Sequence, residues 1–264
     1  MSLIRVTQVG HTYDLGKQRG GGERKPQPVL KNVNLNFAAG QTTAIVGISG
    51  CGKSTLLKTI CGILRPTEGK IEIAAGDTYR MVRGGDIALM PQSDGLFPWE
   101  NVLDNLILAA RIHGSCLKTA REDAQNLLET FGLGPYCHYW PQQLSGGMRS
   151  RVSFLRTLMA QTPAIALDEP FGSLDAITRE NAQNWLKSVM SSRELTLILV
   201  THDIDEAMIM ADRVVVMGRA TTDRATSLTV FDAAKIHGRN QAEYAHLRAQ
   251  IRASLADSTQ GMRP

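Results

Sequence analysis

Gly47-Ile48-Ser49-Gly50-Cys51-Gly52-Lys53-Ser54-Thr55 fits the pattern G-x-x-x-x-G-K-[ST], a loop suited to holding phosphates. Its glycines let the backbone wrap closely, with amide N–H groups pointing inward. A helix starting near Gly52 adds its positive end. Lys53 is expected to reach the β- and γ-phosphates of a nucleoside triphosphate, and the Ser54 hydroxyl to ligate Mg²⁺. Cys51 reads as a small side chain tolerated inside the loop. Further on, Ala164-Ile165-Ala166-Leu167 runs into Asp168-Glu169, an apolar strand that ends in two carboxylates. Asp168 would hold Mg²⁺ through its water shell, and Glu169 would orient or deprotonate an attacking water. Alternation along a strand aims the two carboxylates differently, which suits separate roles. A third element, Ser145-Gly146-Gly147, opens a helix. Ser145 is a good N-cap and the two glycines leave the first amides unobstructed, so this is a second anion-binding element. With one copy of each element per chain, the simplest geometry is a two-fold homodimer. Each ATP would then lie between the 47–55 loop of one chain and the Ser145 element of the other.

These residues need strands that end together and helices that start there. Residues 33–37 alternate strictly, 43–46 read as a short buried strand, and 69–73 alternate again. Residues 54–64 read as a helix. From about 99 to 160 the pattern is helical, with 119–131 and 146–160 as amphipathic helices. Strands return at 164–167, 195–200 and 214–216, with helices at about 177–190 and 203–211. A last helix over 240–255 places Tyr244, Leu247, Ile251 and Leu255 on one face. Strands alternating with helices indicate an α/β fold with a mainly parallel sheet. Residues 16–28, glycine-rich and closed by proline, read as an exposed loop. Met208, Met210 and Met217 read as core, and Arg151 and Arg156 as a solvated helix face.

Composition excludes several classes. Of 264 residues, 43% are hydrophobic and 20% charged, enough for a packed core. Net charge is only +4, which makes no demand for a nucleic-acid partner. Apolar runs such as Leu197-Ile198-Leu199-Val200 are far shorter than the roughly 18 residues of a membrane span. The first residues lack the pattern of a secretory signal. Cys51, Cys61, Cys116 and Cys137 form no CxxC pair, so neither a zinc ribbon nor a redox dithiol is indicated.

Together, the motifs resemble those of an ABC-type ATPase, the nucleotide-binding subunit of an ATP-binding cassette transporter. Leu144-Ser145-Gly146-Gly147-Met148 resembles the family signature, with Met148 where glutamine is commonest. The resemblance implies a P-loop cassette over 1–217, with an antiparallel β part, a helical subdomain inserted at about 95–160, and a C-terminal extension over 218–264. It implies that Gln92 reaches Mg²⁺ and the attacking water, that Asp175 belongs to the D-loop, that His202 touches the γ-phosphate, and that Tyr13 stacks on adenine. It also implies that membrane-spanning permease subunits dock near Leu96, Phe97 and Trp99. Residues 95–105 and 170–179 resemble importers of nitrate, sulfonates and taurine. The implied function is an importer ATPase on the cytoplasmic face of the inner membrane, served indirectly by a solute-binding protein. The competing reading is a soluble, non-transport ABC-type ATPase.

Overall fold

In the computed structural model, which describes residues 2–13, 28–172, 174–193, 195–220, 224–234 and 241–260, the chain opens with a long antiparallel pair, β1 (Ser2–Thr12) and β2 (Pro28–Ala38). The loop expected over 16–28 lies outside the described residues, except Pro28, which begins β2. Next come β3 (Thr42–Gly47), α1 (Lys53–Ile60), β4 (Glu68–Ala75), β5 (Thr78–Met81) and β6 (Ala88–Met90). Four helices follow: α2 (Val102–Leu106), α3 (Leu108–His113), α4 (Leu117–Thr130) and α5 (Gly146–Leu158). The remainder is β7 (Ala164–Asp168), α6 (Ala176–Arg193), β8 (Thr196–Thr201), α7 (Ile204–Met210), β9 (Arg213–Met217), β10 (Leu228–Asp232) and α8 (Gln241–Gln260).

The strands form two sheets. One is antiparallel, in the order β2-β1-β4-β5. The other runs β10-β9-β3-β8-β7-β6, parallel throughout except for β10. β3 and β8 are buried along their whole length, because both faces of this sheet are covered. Ala44 and Val46 face the same side as Leu106 and Leu155, while Ile45 faces the side of Phe37 and Leu56. That two-sided burial explains the uninterrupted apolar runs. Burial of each such large side chain contributes about 2 kcal/mol. The α/β class, the antiparallel part and the inserted helices all agree with the sequence.

One helix end differs from the sequence expectation. α1 stops at Ile60 rather than at 64. Gly62 adopts φ 70, its amide donates to the Thr59 oxygen (3.0 Å), and the Ile63 amide donates to the Lys58 oxygen (2.9 Å). This Schellman closure satisfies the last carbonyls and ends the helix whatever the apolar spacing beyond it. α4 ends the same way at Gly132, φ 65, with Leu133 donating to Leu128 (2.8 Å). At the start of the helical stretch expected from about 99, α2 and α3 are two short helices that meet at Ile107.

Candidate active site

β3 carries Gly47 to the carboxyl edge of the parallel sheet, where the chain turns into α1. A Cβ on Gly47 would stand 2.5 Å from the Met217 carbonyl oxygen and 2.8 Å from Cys51 Sγ, so no side chain fits. Gly50 and Gly52 take φ of 76 and 104, a region glycine enters without steric cost. Gly52 caps α1 and offers no side-chain acceptor, so the first amides of the helix are left for an anion. Lys53 is buried, and its Nζ donates to the carbonyl oxygens of Gly47 (2.8 Å) and Ile48 (3.0 Å). An ammonium has three donors, so one remains for a phosphate oxygen. Ser49 and Gly50 form the exposed tip. Cys51 is fully buried, and burial pushes its thiol up despite nearby Lys53.

Asp168 closes β7. Burial pushes its carboxyl up, opposed by a hydrogen bond with the Ser54 side chain and reinforced by the charge of Glu169. Glu169 has φ 51, a left-handed conformation unusual for a non-glycine residue, at a cost of about 1–3 kcal/mol. Its amide donates to the Val200 oxygen at 2.8 Å, which ties this turn to β8. Nothing in the residue types signals that strain. Gln92, just past β6, donates its Nε2 to Glu169 Oε2 at 3.0 Å. His202, just past β8, places Nδ1 3.4 Å from Glu169 Oε1. Glu169 is thus the meeting point of two residues that the resemblance, rather than any spacing, singled out. A cleft of about 380 Å³ is lined by Gln92, Glu169, His202, Gly146, Arg149 and Gly172, among others.

Ser145 is the N-cap of α5, its Oγ accepting from the Met148 amide at 3.2 Å. Gly147 is closely covered, since a Cβ there would lie 3.3 Å from Leu174 Cδ2. Within one chain this end of α5 borders the Glu169 cleft, and no residue of 47–55 lines that cleft. Tyr13 lies against the start of α1, with its hydroxyl 3.3 Å from Thr55 Oγ1 and its ring edge-on to His11. Asp175 is exposed, and its Oδ1 accepts from the Thr178 amide (3.0 Å) at the start of α6. Hydrogen bonds from Thr178 hold its carboxyl below the usual range.

Arg156 departs from the solvated face expected of it. It donates NH1 to the Gly95 oxygen (2.7 Å) and NH2 to the Asp94 oxygen (3.3 Å), and desolvation lowers its pKa. Arg151 is half-buried and donates NH1 to the Phe131 oxygen at 3.5 Å. Arg149 joins Arg156 at the same loop, its Nε 2.9 Å from Asp94 Oδ2. Arg149, through the Asp94 carboxylate, and Arg156, through the carbonyls of Asp94 and Gly95, hold the stretch after Gln92 against α5.

Sequence reading assigned no role to Asn105. It is fully buried, its Oδ1 accepts from the Phe97 amide (2.9 Å), and its Nδ2 faces the oxygens of Phe97, Glu100 and Asn101 at 3.2, 2.9 and 3.0 Å. The legible signal was an amide among Val102, Leu103 and Leu106, since a polar residue on a buried face must find partners. Leu96 is buried by this arrangement, whereas Trp99 is 67% exposed and stacks on Phe97 at 5.1 Å. Asn105→Ala strands these backbone groups, and we expect a loss of about 2–3 kcal/mol. Urea unfolding measures it, and a loss below about 0.5 kcal/mol would contradict this account.

The family model described as ABC transporter matches residues 30–172. The chain is 41% identical over 215 residues to the aliphatic sulfonates import ATP-binding protein SsuB 1 of Rhodococcus jostii, covering 81% of this chain and 78% of that one. It is 39% identical over 196 residues to the nitrate import ATP-binding protein NrtD of Synechococcus elongatus, covering 74% and 71%. In structure it is similar to a dimeric ATP-binding cassette in a post-hydrolysis state bound to ADP and Pi. The TM-score is 0.71 and the identity 29%, with 81% of this chain and 94% of the other covered.

Proposed function

The chain belongs to the ABC transporter family as an ATP-binding cassette ATPase, and from that premise we propose that it powers an importer of a small solute through separate permease subunits. The observation that carries this is the convergence on Glu169 of Gln92 and His202, beside the buried Asp168. The names of the relatives, both import ATP-binding proteins, support the direction of transport. Sulfonate and nitrate relatives stand at nearly equal identity, so the substrate class we put forward is a small oxyanion of the nitrate, sulfonate or taurine kind. A cassette contacts ATP and permease, so its own residues carry little selection for the cargo. No helix among the described residues is long and apolar enough to cross a membrane. We place the chain peripherally, at the cytoplasmic face of the inner membrane, with a solute-binding protein serving the permease. The exposed Trp99 ring, stacked on Phe97, supports docking to a permease over a non-transport ATPase.

Lys53 and the amides of 47–55 would bind the β- and γ-phosphates. Tyr13, whose hydroxyl lies beside Thr55, would stack on adenine. The donors also suit Mg²⁺, a hard cation that takes oxygen ligands and often a single carboxylate. Asp168 supplies a buried carboxylate already hydrogen-bonded to the Ser54 hydroxyl, and Gln92 donates through its nitrogen and so keeps its amide oxygen free. When bound, Mg²⁺ neutralises phosphate charge. Glu169 accepts a proton from the attacking water, and His202, whose Nδ1 faces Glu169, holds the γ-phosphate. Gly146 and Gly147 would offer their amides, and Ser145 and Asp175 their side chains, to the nucleotide of a second copy. The dimeric structural relative supports that arrangement.

Two measurements test this reading. Affinity-tagged chain expressed in its own host should carry permease subunits from solubilised membranes. Deleting its gene should abolish uptake of labelled nitrate or of a labelled sulfonate, and which uptake fails names the cargo. Recovery with ribosomes or nucleic acid alone would overturn the transporter reading.

A further inference from the structure

The imidazole of His202 is two-thirds exposed (66%), and its side chain meets Glu169 at 3.4 Å. With so little packed around the ring, its aim is set by the backbone that carries it. That backbone is mounted on the first turn of α7. Thr201 donates its Oγ1 to Glu206 Oε2 at 2.6 Å and accepts from the Asp203 amide at 3.0 Å. Asp203 Oδ1, capping α7, accepts from the amides of Asp205 (2.8 Å) and Glu206 (3.2 Å). The residues on either side of His202 are therefore both fixed by α7. The mount is held from the other side by α8. Leu247 and Ile251 of α8 enter the same apolar cluster as Ala207, Met208 and Val214. On the rim, Asp205 receives a hydrogen bond from Tyr244 Oη (3.1 Å) and one from Arg248 NH2 (2.6 Å). Arg248 chiefly, and Tyr244 next, hold the Asp205 carboxyl below the usual range.

We propose that α8 is a positioning element for the ATPase site: through Asp205, Tyr244 and Arg248 it fixes the α7 turn and so the placement of His202. This rests on the assignment of His202 to the γ-phosphate. Neither Asp205 nor Arg248 touches the nucleotide in this scheme, so they act on the rate and not on ATP binding. A partly exposed ion pair adds little to global stability, whereas a misplaced catalytic group costs a large factor in rate.

The test uses the full chain in the assembled transporter or as the purified cassette. Arg248→Ala and Asp205→Asn should each lower kcat about 3- to 10-fold, with KM and ATP affinity within about twofold of the parent. Because the Arg248 contact runs through Asp205, the double variant should be no slower than Asp205→Asn alone. Arg248→Lys should restore most of the rate. Melting temperature should move by a few degrees at most. His202→Ala, assayed in parallel, should lose most hydrolysis. If His202→Ala is inactive while both α8-link variants keep full kcat, α8 does not position the site. A fall in kcat matched by a large fall in melting temperature, unrelieved by lysine, is a merely structural effect and also overturns the proposal. A fully active His202→Ala would instead remove the histidine assignment on which the proposal rests.

Discussion

Glu169→Gln should cut ATP hydrolysis by about 100- to 1,000-fold, the usual worth of a positioned general base, while ATP affinity stays within about twofold. The geometry explains why the replacement is clean. Glu169 Oε2 accepts from Gln92 Nε2 at 3.0 Å, and a glutamine amide oxygen can accept the same hydrogen bond. The other terminal atom faces His202 Nδ1 at 3.4 Å. An NH2 there can donate to a neutral imidazole. The strained backbone at φ 51 is kept equally by either side chain. What is lost is the basicity that takes the water's proton, because a neutral amide does not accept one near pH 7. With binding intact and hydrolysis stopped, ATP remains between the two copies, and the dimer should accumulate. Gel filtration with ATP and Mg²⁺ reads the dimer, and phosphate release reads the rate. Unchanged hydrolysis would remove Glu169 from the reaction.

The chemistry of this site was legible because it depends on residue types whose physical demands are narrow. Gly47, Gly50 and Gly52 are needed where a Cβ would clash or where φ is positive, and Lys53 where a buried loop needs a cation. Asp168 and Glu169 stand out only beside the 47–55 loop, because a carboxylate pair at a strand end is by itself most often solvated charge. Gln92 and His202 carried no such signal. Each is an ordinary polar residue after a strand, and only the sheet order β8-β7-β6 brings them to Glu169. Long-range pairing of this kind is not written in local periodicity.

The same division holds for the fold. β3, β7 and β8 were readable because burial on both faces demands continuous apolar runs. β1 escaped notice because its alternation is broken, with Gln8 at φ 50 and register shifts against both neighbours. β10 escaped because, at the sheet edge, it is mostly exposed. The loop after Gln92 was unreadable for another reason. Its shape comes from Asn105, Arg149 and Arg156 filling hydrogen-bond needs that no periodic pattern expresses.

Lys53→Ala should weaken ATP binding by about 100-fold or more, equivalent to about 2.7 kcal/mol. The magnitude follows from the loss of a charge-assisted hydrogen bond to phosphate, worth about 1.5–3 kcal/mol, together with the loss of the buried positive charge that offsets the phosphates. Lys53 already donates to Gly47 and Ile48, so the substitution also leaves two loop carbonyls without that donor. Some destabilisation of the free protein, about 1–3 kcal/mol, should therefore accompany the loss of affinity. Calorimetric titration with ATP separates the two effects, since it reports binding by whatever fraction is folded, and circular dichroism fixes that fraction. Lys53→Met, which keeps much of the apolar stem, should recover stability more than affinity. Near-normal binding by either variant would mean that the backbone amides of 47–55 and the contacts of Tyr13 hold the nucleotide without the ammonium. The opposite outcome, no measurable binding in a folded variant, would assign the triphosphate's affinity mainly to charge, and ATP affinity should then fall steeply as salt is raised.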